Sequence, residues 1–192
     1  MPTPADAIST YLHAKDGNRP FSMRRAFTAT AALEMIVKTD AIAFPATAQG
    51  LDAITGILVH RFAREFENIY SFCLASPPKP DLRQFSCDWL VGMSSRDGGA
   101  VRVGCGRYDW YFQPDAGGLV ERLRITIERM QVFSSDSLIP IMDWLADLPY
   151  PWCRPGDALA AMPQLPGLVE IAAHIGKILG SGGIGSLRRR PV

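Results

Sequence analysis

The chain has little charge excess, few cysteines, no long apolar run and no catalytic signature, and each lack removes a class of function. Its 192 residues carry a formal net charge of +1, and the triplet Arg188, Arg189 and Arg190 outweighs that excess, so the rest is slightly acidic. A nucleic-acid partner needs a basic face and is not expected. The four cysteines, Cys73, Cys87, Cys105 and Cys153, lie far apart with no C-x-x-C pair. That spacing argues against a disulfide framework and against a metal site. Three of them, Cys73, Cys87 and Cys105, sit in apolar strand-like runs, as small hydrophobes do. No apolar stretch approaches bilayer length, and MPTPADAIST lacks the charged and apolar regions of a secretory signal. A soluble, cytoplasmic protein is expected, with no cofactor and no membrane partner. No P-loop, H-E-x-x-H, Ser/His/Asp or paired-carboxylate pattern occurs. Gly180 to Gly185 matches G-x-G-x-x-G literally, but a dinucleotide loop needs a strand before it and a helix after, and neither is expected here.

What is present centres on Gly99 to Phe133. It reads as two long strands joined by the turn-rich Pro114-Asp115-Ala116-Gly117-Gly118. Pairing inward from that loop sets Cys105 opposite Ile127, Arg107 opposite Ile125 and Asp109 opposite Leu123. One face then carries Val101, Val103, Cys105, Tyr111, Leu123, Ile125 and Ile127, with Arg107, Asp109 and Arg129 among them. The other carries Tyr108, Trp110, Phe112 and Val120 beside Arg122, Arg124 and Glu128. Both faces are partly apolar, so both need cover.

Upstream, Thr3-Pro4-Ala5-Asp6 starts a helix with a threonine cap, an early proline and an acid three residues on. Ile8, Tyr11 and Leu12 give it an apolar stripe, and it stops near Asp16-Gly17-Asn18. Pro20 opens a short helix burying Met23 and Phe27. Ala32 to Phe44 reads as strand, turn at Thr39-Asp40, and strand. A long helix is expected from Leu51 to Asn68, with Leu51, Ile54, Ile57, Leu58, Phe62 and Phe66 on one side and His60 solvated on the other. Arg61 and Glu65 form an ordinary helix pair. Strands follow at Ile69 to Ala75 and Phe85 to Ser94, the latter placing Cys87, Trp89, Val91 and Met93 on one face. After Phe133, a helix with Leu138, Ile141, Met142 and Leu145 inward leads to the irregular LPYPWCRPG and a last helix near Leu168 to Leu179, with His174 at the edge of its stripe.

Three stretches, YLHAKDGN, DAIAFPATAQGLDAI and GRYDWYF with RITIERM, together with the element order, resemble the nuclear transport factor 2-like superfamily. The resemblance covers roughly Ala5 to Phe133. It implies a cone, in which a bent sheet wraps a long helix around a pocket, and dimers often form through the sheet. Members include ketosteroid isomerases, scytalone dehydratases, limonene epoxide hydrolases, SnoaL-type polyketide cyclases and domains without chemistry. Tyr11 matches the isomerases' oxyanion-binding tyrosine. Their general base precedes a proline ahead of the long helix, where this chain has Phe44 before Pro45. The epoxide hydrolases' arginine-x-aspartate pair belongs where this chain has Cys87-Asp88-Trp89, and the aspartate on their last strand falls on Ile125.

The expected fold is α+β: a bent, mostly antiparallel sheet of about six strands around a long helix. Residues 1–133 form the cone, 134–180 a proline-rich helical extension packed on it, and 181–192 a flexible basic tail. Two functions stay open. One is a domain binding a small apolar, polyketide- or steroid-like ligand without catalysis, its pocket lined by Phe44, Trp89, Cys105, Leu123 and Ile125. The other is a SnoaL-like or ketosteroid-isomerase-like enzyme in which Asp109 moves protons while Tyr11 and Arg107 stabilise negative charge. The missing carboxylate before Pro45 favours the first. The face bearing Tyr108, Trp110 and Phe112 is expected to be convex and to need cover from a second copy or from the extension around Trp144 to Trp152; a homodimer through the sheet is expected, with the C-terminal segment packed at its margin.

Overall fold

The structure, a computed structural model, describes residues 2–113 and 117–181. Helix α1 (Pro4–Asp16) begins as its sequence demands. The Thr3 hydroxyl accepts from Asp6 N at 3.2 Å, the Asp6 carboxylate accepts from Thr3 N at 2.8 Å, and Pro4 fills the first turn. A 3-10 turn (Pro20–Arg25) buries Met23 and leads into β1 (Phe27–Val37), where Phe27 is a strand residue rather than a helical one.

The strand expected at residues 41–44 does not form. Ile42 and Phe44 turn in to pack on the core instead, and the short β2 (Thr47–Gln49) pairs with β1 after Pro45, which cannot donate to a ladder. The long helix spans residues 51–65 in three continuous pieces: α2 (Leu51–Thr55), a π turn (Gly56–Arg61) and α3 (Phe62–Glu65). It ends earlier than its apolar spacing suggests, because Phe66 already has extended backbone and opens β3 (Phe66–Cys73). His60 is exposed, and Arg61 pairs with Glu65 at 3.0 Å, as expected.

Strands β4 (Gln84–Ser95), β5 (Val101–Phe112) and β6 (Val120–Phe133) complete a six-stranded sheet of order β2-β1-β6-β5-β4-β3. Its neighbours are antiparallel except β1 and β6, which are parallel. The inner face packs on α1 and the 51–65 helix. The outer face is covered at its β3–β4–β5 side by α4 (Leu138–Ala146), α5 (Pro155–Ala160) and α6 (Val169–Ser181).

The central hairpin is slipped by one residue from the expected pairing. Tyr108 faces Ile125, Asp109 faces Arg124 and Trp110 faces Leu123. Next to the loop Phe112 faces Val120; the slip starts where Glu121 bulges from β6, a second bulge at Glu128 adds to it, and a one-residue shift exchanges the faces. Tyr108, Trp110 and Phe112 therefore join Leu123, Ile125 and Ile127 in the inner core. Val101, Val103 and Cys105 point outward, into a second core with Trp144, Leu145 and Ile171. The aromatic patch invoked for a homodimer is thus internal, and the chain's own extension covers the apolar outer side. Gly92 seats this extension, since a Cβ there would lie 2.0 Å from Leu145 Cδ1.

The basic tail expected at 181–192 lies, from residue 182, outside the described residues, as does most of the glycine run. Leu145 is fully buried between sheet and extension, so Leu145→Ala is expected to lower unfolding free energy by about 2–5 kcal/mol in urea titrations. All four cysteines are free and buried. Burial pushes the Cys105 thiol up to about 12 and the Cys153 thiol up to about 11. A chromogenic disulfide reagent at about pH 8 should therefore find no reactive thiol until denaturant is added.

Candidate functional site

Inside the cone lies a cavity of ≈ 50 Å³. Its wall is largely apolar: Ile42 and Phe44 from the 38–46 segment, Leu58 and Phe62 from the helix, and Ile125 and Ile127 from β6. Met35, Met93 and Met130 add flexible thioethers that can repack around a guest. Five of the lining residues carry polar side-chain atoms: Tyr11, Lys15, Ser71, Trp89 and Tyr108.

Two of these are donors left over by the fold. The Tyr11 ring is fully buried, edge-on to Phe27, Tyr108 and Trp110, and its hydroxyl reaches no protein partner of sound geometry. Burial pushes its pKa far up and the nearby Asp16 charge adds to this, while Tyr108 pulls weakly the other way. Burial likewise raises Tyr108 well above the usual tyrosine range. Both phenols stay protonated. Trp89 Nε1 is also buried without a partner. Trp89 lies against Gly106, where a Cβ would meet Trp89 Cζ2 at 2.8 Å and the Thr126 carbonyl oxygen at 1.9 Å. Gly106 is what lets the indole floor the cavity beside Tyr108, ring centroids 5.7 Å apart.

One turn beyond Tyr11 on α1 sits a buried ion pair. Lys15 Nζ donates to Asp16 Oδ1 at 2.6 Å and to Ser71 Oγ at 2.7 Å, and lies 4.7 Å from the Phe62 ring centre. Asp16 also accepts from Ser71 N at 2.7 Å, from Ser71 Oγ at 3.0 Å and from the Tyr150 hydroxyl at 3.0 Å. The sequence pattern could have exposed Lys15. It stands four residues after Tyr11, one helical turn on along the same face. Asp16, Ser71 and Tyr150 carry no such signal, because their convergence joins α1, β3 and the extension.

Of the residues expected at the pocket, Tyr11, Phe44, Trp89 and Ile125 line the cavity. Leu123 is on the same inner face and fully buried, but packs outside the cavity wall. Cys105 is in the outer core, on the opposite side of the sheet. Arg107 and Asp109 do share a face, as two-residue spacing requires, but it is the outer one. There Asp109 accepts from Ser86 Oγ at 2.6 Å and from Arg107 Nε at 3.3 Å, with Arg107 about half exposed. His174 Nε2 lies 3.6 Å from Asp88 Oδ1 beside them. Among the described residues no cluster of ligating side chains could hold a metal, and no helix is long and apolar enough to cross a membrane.

Solved structures share this architecture. A nuclear transport factor 2-like superfamily protein from Salmonella enterica serovar Typhimurium superposes with TM-score 0.52 at 16% identity, over 65% of this chain and 88% of that one. A computationally designed 17-OHP binder gives 0.53 at 15% identity, over 68% and 99%. A nuclear transport factor 2-like protein from Burkholderia thailandensis E264 gives 0.50 at 15% identity, over 74% and 98%. The chain has the α+β cone fold of the nuclear transport factor 2-like superfamily, the group its sequence resembles. No family model and no curated protein matches the sequence.

The two kinds of polar group in the cavity separate by mutation. Asp16→Ala strands the Lys15 ammonium in a buried site and is expected to cost about 3–5 kcal/mol in denaturant unfolding. Tyr11→Phe breaks no protein hydrogen bond and should stay within about 1 kcal/mol of wild type.

Proposed function

We propose that this protein binds a compact, neutral, largely apolar compound through a carbonyl-type oxygen. The observation that carries this reading is the pair of buried, unpartnered donors, Tyr11 Oη and Trp89 Nε1, on two residues that line an apolar cavity. A buried donor is costly until an acceptor arrives, so the site favours an oxygen acceptor. The ion pair of Lys15 with Asp16 leaves that wall without net charge, which disfavours an anionic ligand.

Size narrows the choice. A cavity of ≈ 50 Å³ holds a few waters or a small molecule, whereas drug-sized ligands occupy about 300–1,000 Å³. A polyketide- or steroid-like guest therefore requires the 38–46 segment, with Ile42 and Phe44, to move outward. The designed 17-OHP binder supports the view that this type of fold can be hollowed for a guest. Free buried cysteines suit a reducing, cytoplasmic setting. Pairing of two copies through the remaining outer face would rest on polar groups such as the Glu34–Arg124 bridge, not on aromatics.

Acid–base catalysis is the second reading, and Lys15 with Asp16 favours it, since Arg107 and Asp109 are on the outer face. The binding reading is tested by tryptophan fluorescence with cyclohexanone against methylenecyclohexane, which has the same shape without the oxygen. The ketone should bind about tenfold more tightly, and Tyr11→Phe should erase most of that margin. Equal affinity for the two compounds overturns it.

A further inference from the structure

We propose that Lys15 captures small aldehydes and ketones as an imine, with Asp16 carrying the proton. This rests on the binding reading above and adds a covalent step to it.

Lys15 is only 5% exposed and borders an apolar cavity, an unusual place for an ammonium. Its 2.6 Å contact with Asp16 Oδ1 is short enough for a proton to pass directly between them. A lysine held against an apolar cavity with a proton acceptor in direct contact has the arrangement of a nucleophilic amine. The backbone N–H and hydroxyl of Ser71, with the Tyr150 hydroxyl, hold the carboxyl in place for the exchange. Tyr11, one turn before Lys15 on the same helix, carries an unpartnered hydroxyl available to the carbonyl oxygen.

The step balances. Asp16 takes a proton from the Lys15 ammonium, and the amine lone pair forms a C–N bond to the carbonyl carbon. The carbonyl oxygen gains the Asp16 proton and one from nitrogen, and leaves as water when the C–O bond breaks. An iminium on Lys15 then faces an ionised Asp16, so the charge of the pair is unchanged and no oxidant or reductant is consumed.

The test uses the full chain with butanal and sodium cyanoborohydride near neutral pH, followed by peptide mass spectrometry of its four lysines. Cyanoborohydride reduces an iminium to a stable butyl-lysine. Lys15 should be alkylated at least about tenfold faster than the exposed Lys38 and Lys79, because the cavity holds aldehyde beside it. Asp16→Asn should slow Lys15 by about a hundredfold while leaving Lys38 and Lys79 unchanged. Lys15→Arg should abolish the selective label with the fold checked by circular dichroism. If Asp16→Asn does not fold, the wild-type ratio of Lys15 to Lys38 decides alone. Labelling of Lys15 no faster than Lys38 and Lys79 overturns the proposal. That result combined with ketone-selective fluorescence overturns only the imine and leaves cavity binding standing; without such fluorescence, both fall.

Discussion

A single carboxylate joins the parts of this molecule. Asp16 closes α1, receives a backbone and a side-chain bond from Ser71 on β3, neutralises Lys15 at the cavity wall, and accepts from Tyr150 in the extension. A charge with about 6% of its side chain exposed is tolerable only with such complete partnering. The consequence is cooperative. Helix α1, strand β3 and the segment after α4 are placed by one another through this group. Trp152 reinforces the arrangement, donating to Ser9 Oγ at 3.1 Å.

The extension therefore acts on both sides of the sheet. Its helices bury the apolar outer side of β3, β4 and β5, while Tyr150 and Trp152 reach around to α1. The apolar side of the sheet that could have met another subunit is instead filled from within the chain.

Local chemistry was legible in the sequence and long-range chemistry was not. The Thr3 cap, the Arg61–Glu65 pair, the inward face of β4 and the inward Tyr11 follow from spacing within one element. The hairpin register did not, because the bulges at Glu121 and Glu128 leave no composition signature, and one residue of slip moves Arg107, Asp109 and Cys105 to the far side. The strand expected after Thr39-Asp40 failed for a tertiary reason: Ile42 and Phe44 gain more from the core than from a ladder. Lys15 was hidden by its charge, which reads as solvated until Asp16 and Ser71 are seen beside it.

The π turn sets the phase of the cavity's roof. An α-helix advances each residue by about 100°, so one residue accommodated in a wider turn rotates everything beyond it. Phe62 follows that turn directly, and its ring lies 4.7 Å from Lys15 Nζ. With regular winding through Gly56–Arg61, the same sequence would swing Phe62 away and leave the ammonium facing a different surface. The width of one helical turn is thus a tuning element for the site, acting on its polarity without changing any residue that lines it.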